Sequence, residues 1–216
     1  MTASNTVLLT NAVGVPAELY VAPPPPVDLS VSAALRYLKL TPGSSVSISD
    51  SAANIQKNLA TLQSMNARIS AVKASSDQNT ILTVSYRDYT ADKGILAKWS
   101  NNASHQFILT DVTAQAAGAL WNSDFTRSLT IKDTAINIQN NFDSLVDILS
   151  QNSQKLTSVT QSNTAGVISL TTAQYTAGKV ELFGKLNKGI QNIAITNANV
   201  SDVIGNGQLR NTGLRL

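Results

Sequence analysis

The sequence predicts an α/β chain: a repeat, solenoid-like array of short parallel strands and crossover helices, with an extended Pro-rich N-terminal arm. Residues 50–62, DSAANIQKNLATL, align with residues 133–145, DTAINIQNNFDSL, with seven identities in thirteen positions. Short β-branched runs alternate with helical patterns along the body of the chain. Strand-then-helix alternation is the pattern of parallel strands joined by right-handed crossovers, and units of this size stack side by side instead of closing into a barrel.

Residues 1–27 read as the arm. Its apolar stretches are Val7-Leu8-Leu9 and Leu19-Tyr20-Val21, followed by the tetraproline Pro23–Pro26, a stiff polyproline rod with no N–H to offer a sheet. Those six apolar residues are the expected assembly contacts. Residues 28–45, with Leu29 to Leu35, form a partial repeat.

Unit 1 is expected over residues 46–127. A strand at Val46–Ile48 leads to a helix cap at Ser51, and Ile55, Leu59, Leu62, Met65 and Ile69 then fall on one helical face. A strand at Ile81–Tyr86 precedes a cap at Thr90 and a short helix carrying Ile95, Leu96 and Trp99. Phe107–Leu109 and a cap at Thr113 complete the unit.

Unit 2, residues 128–205, repeats the order. Leu129–Ile131 precedes a cap at Thr134 and a helix bearing Ile138, Phe142, Leu145 and Ile148; Val167–Leu170 precedes a cap at Thr176; Ile193–Thr196 precedes a cap at Ser201. Tyr89-Thr90-Ala91 with Lys93 recurs as Tyr175-Thr176-Ala177 with Lys179, 86 residues on. Residues 206–216 form a C-terminal tail. A hydroxyl at an N-cap accepts a hydrogen bond from an orphan N–H of the first turn, which is the physical reason for Ser or Thr at these six points.

Composition narrows the function. Of 216 residues, 43% are apolar but only 13% are charged, while Ser, Thr and Asn supply 65. Polarity therefore comes from neutral hydrogen-bonding groups, which speaks against a charge-extended disordered chain and, with basic residues scattered and a net charge of +3, against nucleic-acid binding. There is no cysteine for a disulfide, thiolate zinc site or thiol nucleophile. No apolar run is long enough for membrane insertion, and no Sec-type signal is visible at the start of the sequence.

The search for chemistry gives little. No phosphate-binding glycine loop or nucleophile elbow occurs, and Gly43-Ser44-Ser45 lacks the lysine a phosphate site needs. The single histidine, His105, has no distinctive neighbour. Asp88, Asp111 and Asp133 are the candidate Ca²⁺ ligands if stacked units bring carboxylates together. Their positions near helix starts are explained by the helix dipole without a metal, and that is the preferred reading. Tyr86, Tyr89, Trp99, Trp121 and Phe125 form a conceivable sugar-binding strip, against the simpler reading that they anchor helices in a core. No catalytic residue and no cofactor are assigned.

The D-[ST]-A-x-N-I-Q-x-N-[LF] segments, with the Y-T-A-x-K pieces and the Val-[Ser/Thr] junctions at Val112-Thr113 and Val200-Ser201, resemble repeats of the DTAANI type found in bacterial surface-associated and secreted proteins, often beside RTX-like or adhesin modules. The resemblance spans residues 46–205. It implies a structural or adhesive extracellular role, export by a type I system, and no known active site. The sequence departs from that pattern in having two units, no calcium-binding nonapeptides and a proline-stiffened arm.

The expected function is a self-assembling extracellular protein, a filament, surface-layer or biofilm-matrix subunit, whose partner is further copies of itself through the arm and the exposed repeat ends. An adhesin-type module recognising cell-surface polysaccharide or glycan is the alternative. An enzyme and a virion structural protein are the remaining classes.

Overall fold

The computed structural model describes residues 26–75, 81–99, 106–152, 154–178, 182–185 and 192–197. The arm residues Val7, Leu8, Leu9, Leu19, Tyr20 and Val21, together with His105, Ser201 and the tail, lie outside the described residues.

The chain is a mixed α/β structure in which every described ladder is parallel. Helix α1 (Val31–Leu40) is followed by strand β1 (Val46–Asp50), helices α2 (Ala52–Lys57) and α3 (Leu59–Ser64), a 3₁₀ turn (Asn66–Arg68), and strand β2 (Ile69–Ala74). Strand β3 (Leu82–Ser85) leads to helices α4 (Tyr86–Ala91) and α5 (Lys93–Leu96), strand β4 (Phe107–Val112), helix α6 (Ala114–Trp121) and strand β5 (Thr126–Asp133). Helices α7 (Ala135–Asn140) and α8 (Phe142–Gln151) precede strands β6 (Leu156–Gln161) and β7 (Ile168–Thr171), helices α9 (Thr172–Gly178) and α10 (Leu182–Lys185), and strand β8 (Ile193–Thr196).

The sheets are ordered β1-β2, β3-β4-β5-β6 and β7-β8, with no closed barrel among the described residues. Single parallel bridges add Leu29 to β1 through Ile48 and Trp99 to β2 through Val72. One continuous core runs from Val31 to Leu182 and crosses each expected unit boundary.

Two long helices expected from the sequence are each divided. Asn58, at φ −112° and ψ 11°, separates α2 from α3, and Asn141, at φ −110° and ψ 11°, separates α7 from α8. Each asparagine amide donates to the carbonyl four residues back, Asn54 at 2.8 Å and Asn137 at 2.9 Å. The side chain thereby competes for the carbonyl that a backbone N–H takes in a regular helix. The first helix also ends before Ile69, which starts β2 instead of completing the helical face. Strands β2 and β6 were not predicted.

Candidate functional site

In both copies of the repeated motif the aspartate gathers several hydrogen-bond donors. Asp50 accepts the N–H of Ser51 at 2.7 Å, the Asn54 side-chain amide at 2.8 Å and, 19 residues back in sequence, the N–H of Val31 at 2.9 Å. Asp133 does the same with Thr134 at 2.8 Å, Asn137 at 2.7 Å and Ala114 at 2.9 Å. Each carboxylate thus ties the start of its own helix to the start of the preceding one. Burial resists ionisation of Asp50, but the donors from Asn54, Val31 and Ser51 outweigh it and hold the carboxyl below its ordinary value.

The rest of the motif is likewise used by the fold. Ser51 and Thr134 accept the N–H of Asn54 and Asn137 as N-caps, and Thr113 accepts that of Ala116. Ile55, Ile138, Leu62 and Leu145 are fully buried. Gln56 accepts the N–H of Thr83 at 3.2 Å and Gln139 that of Ser169 at 2.8 Å, so each glutamine occupies an amide of β3 or β7, the first strand of the next sheet. Every identical polar side chain of the two motif copies has its partner within the fold.

Two expected caps fall elsewhere. Thr90 lies inside α4, its hydroxyl donating to the Arg87 carbonyl at 2.7 Å, and Ser85 is the N-cap, accepting from Asp88 N–H. Thr176 lies inside α9 and donates to the Thr172 carbonyl at 2.8 Å, while Thr171 accepts the N–H of Gln174 at 3.2 Å. Ser30, not predicted, caps α1. The recurring Y-T-A triplet drew the cap five residues too far along in both cases, because a hydroxyl inside a helix bonds back to a carbonyl as readily as one at its start bonds an amide.

The candidate Ca²⁺ ligands are not brought together. Asp88 sits in the first turn of α4 and accepts the Ser85 hydroxyl at 2.7 Å. Asp111 is exposed in β4, in a left-handed conformation at φ 53°. Asp133 is 8% exposed and engaged by three N–H donors. Among the described residues, no group of three His, Cys, Asp or Glu side chains is placed to hold a metal ion.

The aromatic strip is dispersed. Trp99 and Trp121 are buried, Tyr89 meets Phe107 edge-on with ring centres 6.1 Å apart, and Phe125 alone of the set is an exposed large apolar side chain. Lys155 lies 5.6 Å from the centre of the Trp121 ring and donates to the carbonyls of Trp121 and Ser123. Arg68 plays a matching part on the carbonyls of Thr41 at 2.6 Å and Ser44 at 3.0 Å, closing the end of α1. Gly43-Ser44-Ser45 is a turn, with Gly43 at φ 88°.

An open groove of about 630 Å³ lies at α1, lined chiefly by Pro26, Leu29, Ala33, Tyr37 and Leu40. Leu40 and Val27 are 69% and 72% exposed. In β4, the residue matching Leu29 is Val112, which is fully buried. Among the described residues, no helix is long and apolar enough to cross a membrane.

No protein-family model, curated protein or solved structure matches the chain.

Proposed function

We propose that the chain is an array of stacked α/β repeat units and a structural, non-catalytic subunit that associates with further copies of itself outside the cell. The observation that carries this reading is the difference between two matching strands. Strand β4 is paired on both edges, by β3 and β5, whereas β8 is paired by β7 alone among the described residues. Correspondingly, Phe107 and Leu109 of β4 are buried while Ile193 and Ile195 of β8 are half-buried. An extended segment of a neighbouring copy adds to such an edge through main-chain hydrogen bonds. That segment is assigned to Val7-Leu8-Leu9 or Leu19-Tyr20-Val21, which lie outside the described residues and are separated in sequence from the described body by the tetraproline.

Two further features support the reading. The motif's identical polar side chains are hydrogen-bonded within the fold. Low charge weakens repulsion between like copies. Extracellular placement rests on the composition and on the resemblance to DTAANI-type repeats.

Sedimentation velocity across a concentration series, with electron microscopy of the same samples, tests the proposal. Regular filaments or sheets are expected, and Leu8→Ser with Tyr20→Ser should raise the concentration needed for assembly at least about tenfold. A chain that stays monomeric throughout, and binds a glycan saturably, overturns self-association in favour of an adhesive module.

A further inference from the structure

Matching helices of the repeat agree in what they bury and differ in what they expose. Helices α1 and α6 hold equivalent places 83 residues apart, since Val31 and Ala114 each donate at 2.9 Å to the motif aspartate that ends the following strand. Ala34 and Ala117, and Leu38 and Trp121, are buried at the matching core positions. On the outer side and at the end of α6 stand Ala119, Asn122 and Ser123, all uncharged. At the matching positions α1 carries Arg36, Lys39 and Leu40, all exposed, beside the open apolar groove of about 630 Å³.

The α7–α8 pair departs from α2–α3 in the opposite sense. Ile55 and Ile138, Leu59 and Phe142, and Leu62 and Leu145 are buried in both copies. At the exposed positions, Ala53, Lys57, Ala60 and Ser64 of the first copy become Ile136, Asn140, Asp143 and Asp147 in the second. One face of the molecule thus gains two cations and an exposed leucine, and another gains two carboxylates and an exposed isoleucine, at positions the repeat otherwise fills with mainly small or uncharged residues. Asp143 accepts the Gln174 amide at 3.2 Å, which leaves its charge in place. Among the described residues, Lys73 pairs with Asp28, and Arg36, Lys39, Asp143 and Asp147 have no ion-pair partner.

We propose that the α1 face of one molecule docks on the α7–α8 face of a second copy, Arg36 and Lys39 meeting Asp143 and Asp147 while Ile136 covers the groove beside Leu40. Cations three residues apart and carboxylates four apart each lie on one side of a helix, with Cβ separations of roughly 5–6 Å, so both pairs form together between packed helices. Exposed ion pairs set the orientation more than the affinity, and burial of Ile136 and Leu40 supplies the rest. The contact joins two different faces, so it is heterologous and passes from copy to copy. It rests on the reading that the chain associates with itself, and it uses faces that the arm-to-β8 contact does not.

The test uses full-length chains carrying Leu8→Ser and Tyr20→Ser, so that association through the arm is disabled in all of them. Against that parent, one chain adds Arg36→Glu with Lys39→Glu and another adds Asp143→Lys with Asp147→Lys; all four positions are exposed, and circular dichroism checks each fold. In sedimentation equilibrium at low salt the parent is expected to associate, and each reversed chain at least about tenfold more weakly. An equal mixture of the two reversed chains should regain the parent's affinity to within about threefold, because opposite charges again face each other. A reversed chain that fails to fold is replaced by its neutral form, Arg36→Gln with Lys39→Gln or Asp143→Asn with Asp147→Asn, with at least about threefold weakening expected. A parent that stays monomeric, reversed chains that associate as well as the parent, or a mixture that does not recover overturns the docking. The intact chain is run alongside. If its association vanishes with Leu8→Ser and Tyr20→Ser, the arm contact stands and the docking is refuted; if association survives those changes and is lost on charge reversal, the docking stands and the arm contact fails.

Discussion

Asp50 accepts three donors from two different helices, so its removal leaves the N–H groups of Val31 and Ser51 without their acceptor. Asp50→Ala is expected to destabilise the protein by about 1–2 kcal/mol, read from urea denaturation at pH 7. Because the folded carboxyl has a lowered pKa, its contribution is complete above the ordinary value of 3.8 and fades as pH falls through the folded value, so the variant and the natural chain should converge in acid. Asp92 is the opposite case. It is 6% exposed at the junction of α4 and α5, and burial, with a smaller effect from Asp88, raises its carboxyl above the ordinary range. Its protonated form is the one the fold favours, so that contribution exists below pH 3.8 and is lost as pH rises through the folded value. Asp92→Asn should therefore stabilise the chain at pH 7 by about 1 kcal/mol, with the gain shrinking toward pH 4; a loss of stability at neutral pH would refute this account. Ser51, Thr113 and Thr134 were legible in sequence because an N-cap is decided within three residues. The bonds from Asp50 to Val31 and from Asp133 to Ala114 reach 19 residues back, beyond any local pattern.

Among the elements, strands were legible where β-branched residues ran together, as in Leu82–Ser85 and Ile193–Thr196. β2 was hidden because Ile69 also fits the helical spacing from Ile55 to Met65, and the breaks at Asn58 and Met65 that release it depend on hydrogen bonding instead of hydropathy. The glutamines of the motif illustrate the same limit. Gln139 is identical between the two copies, which marks it as used, yet its partner, the Ser169 amide, lies 30 residues away on another element. An unpaired edge amide invites foreign strands, and a side-chain acceptor is one way to satisfy it. Gln139→Ala is expected to cost about 1 kcal/mol and to speed hydrogen exchange at the Ser169 amide roughly tenfold, with smaller effects at Leu170. Equal protection of Ser169 in variant and natural chain would show that the glutamine is not its protection.

For the whole molecule, the parallel α/β class followed from the alternation of strands and helices, while the neighbour relations did not. Nothing in the hydropathy pattern says that β4 is shared between β3 and β5, or that β1-β2 and β7-β8 stand as separate ladders. The left-handed conformations of Asp28 and Asp111, which are 83 residues apart, left no mark in the hydropathy pattern either. The ladders also share a property of time. Every described strand pairs with residues between 19 and 28 positions away in the sequence, so no ladder among the described residues waits for a distant part of the polypeptide. Loop closure over such spans is cheap and fast for a parallel sheet. A ribosome delivering the chain from its N-terminus would therefore see each ladder completed in turn, with little apolar surface left exposed while the next is made.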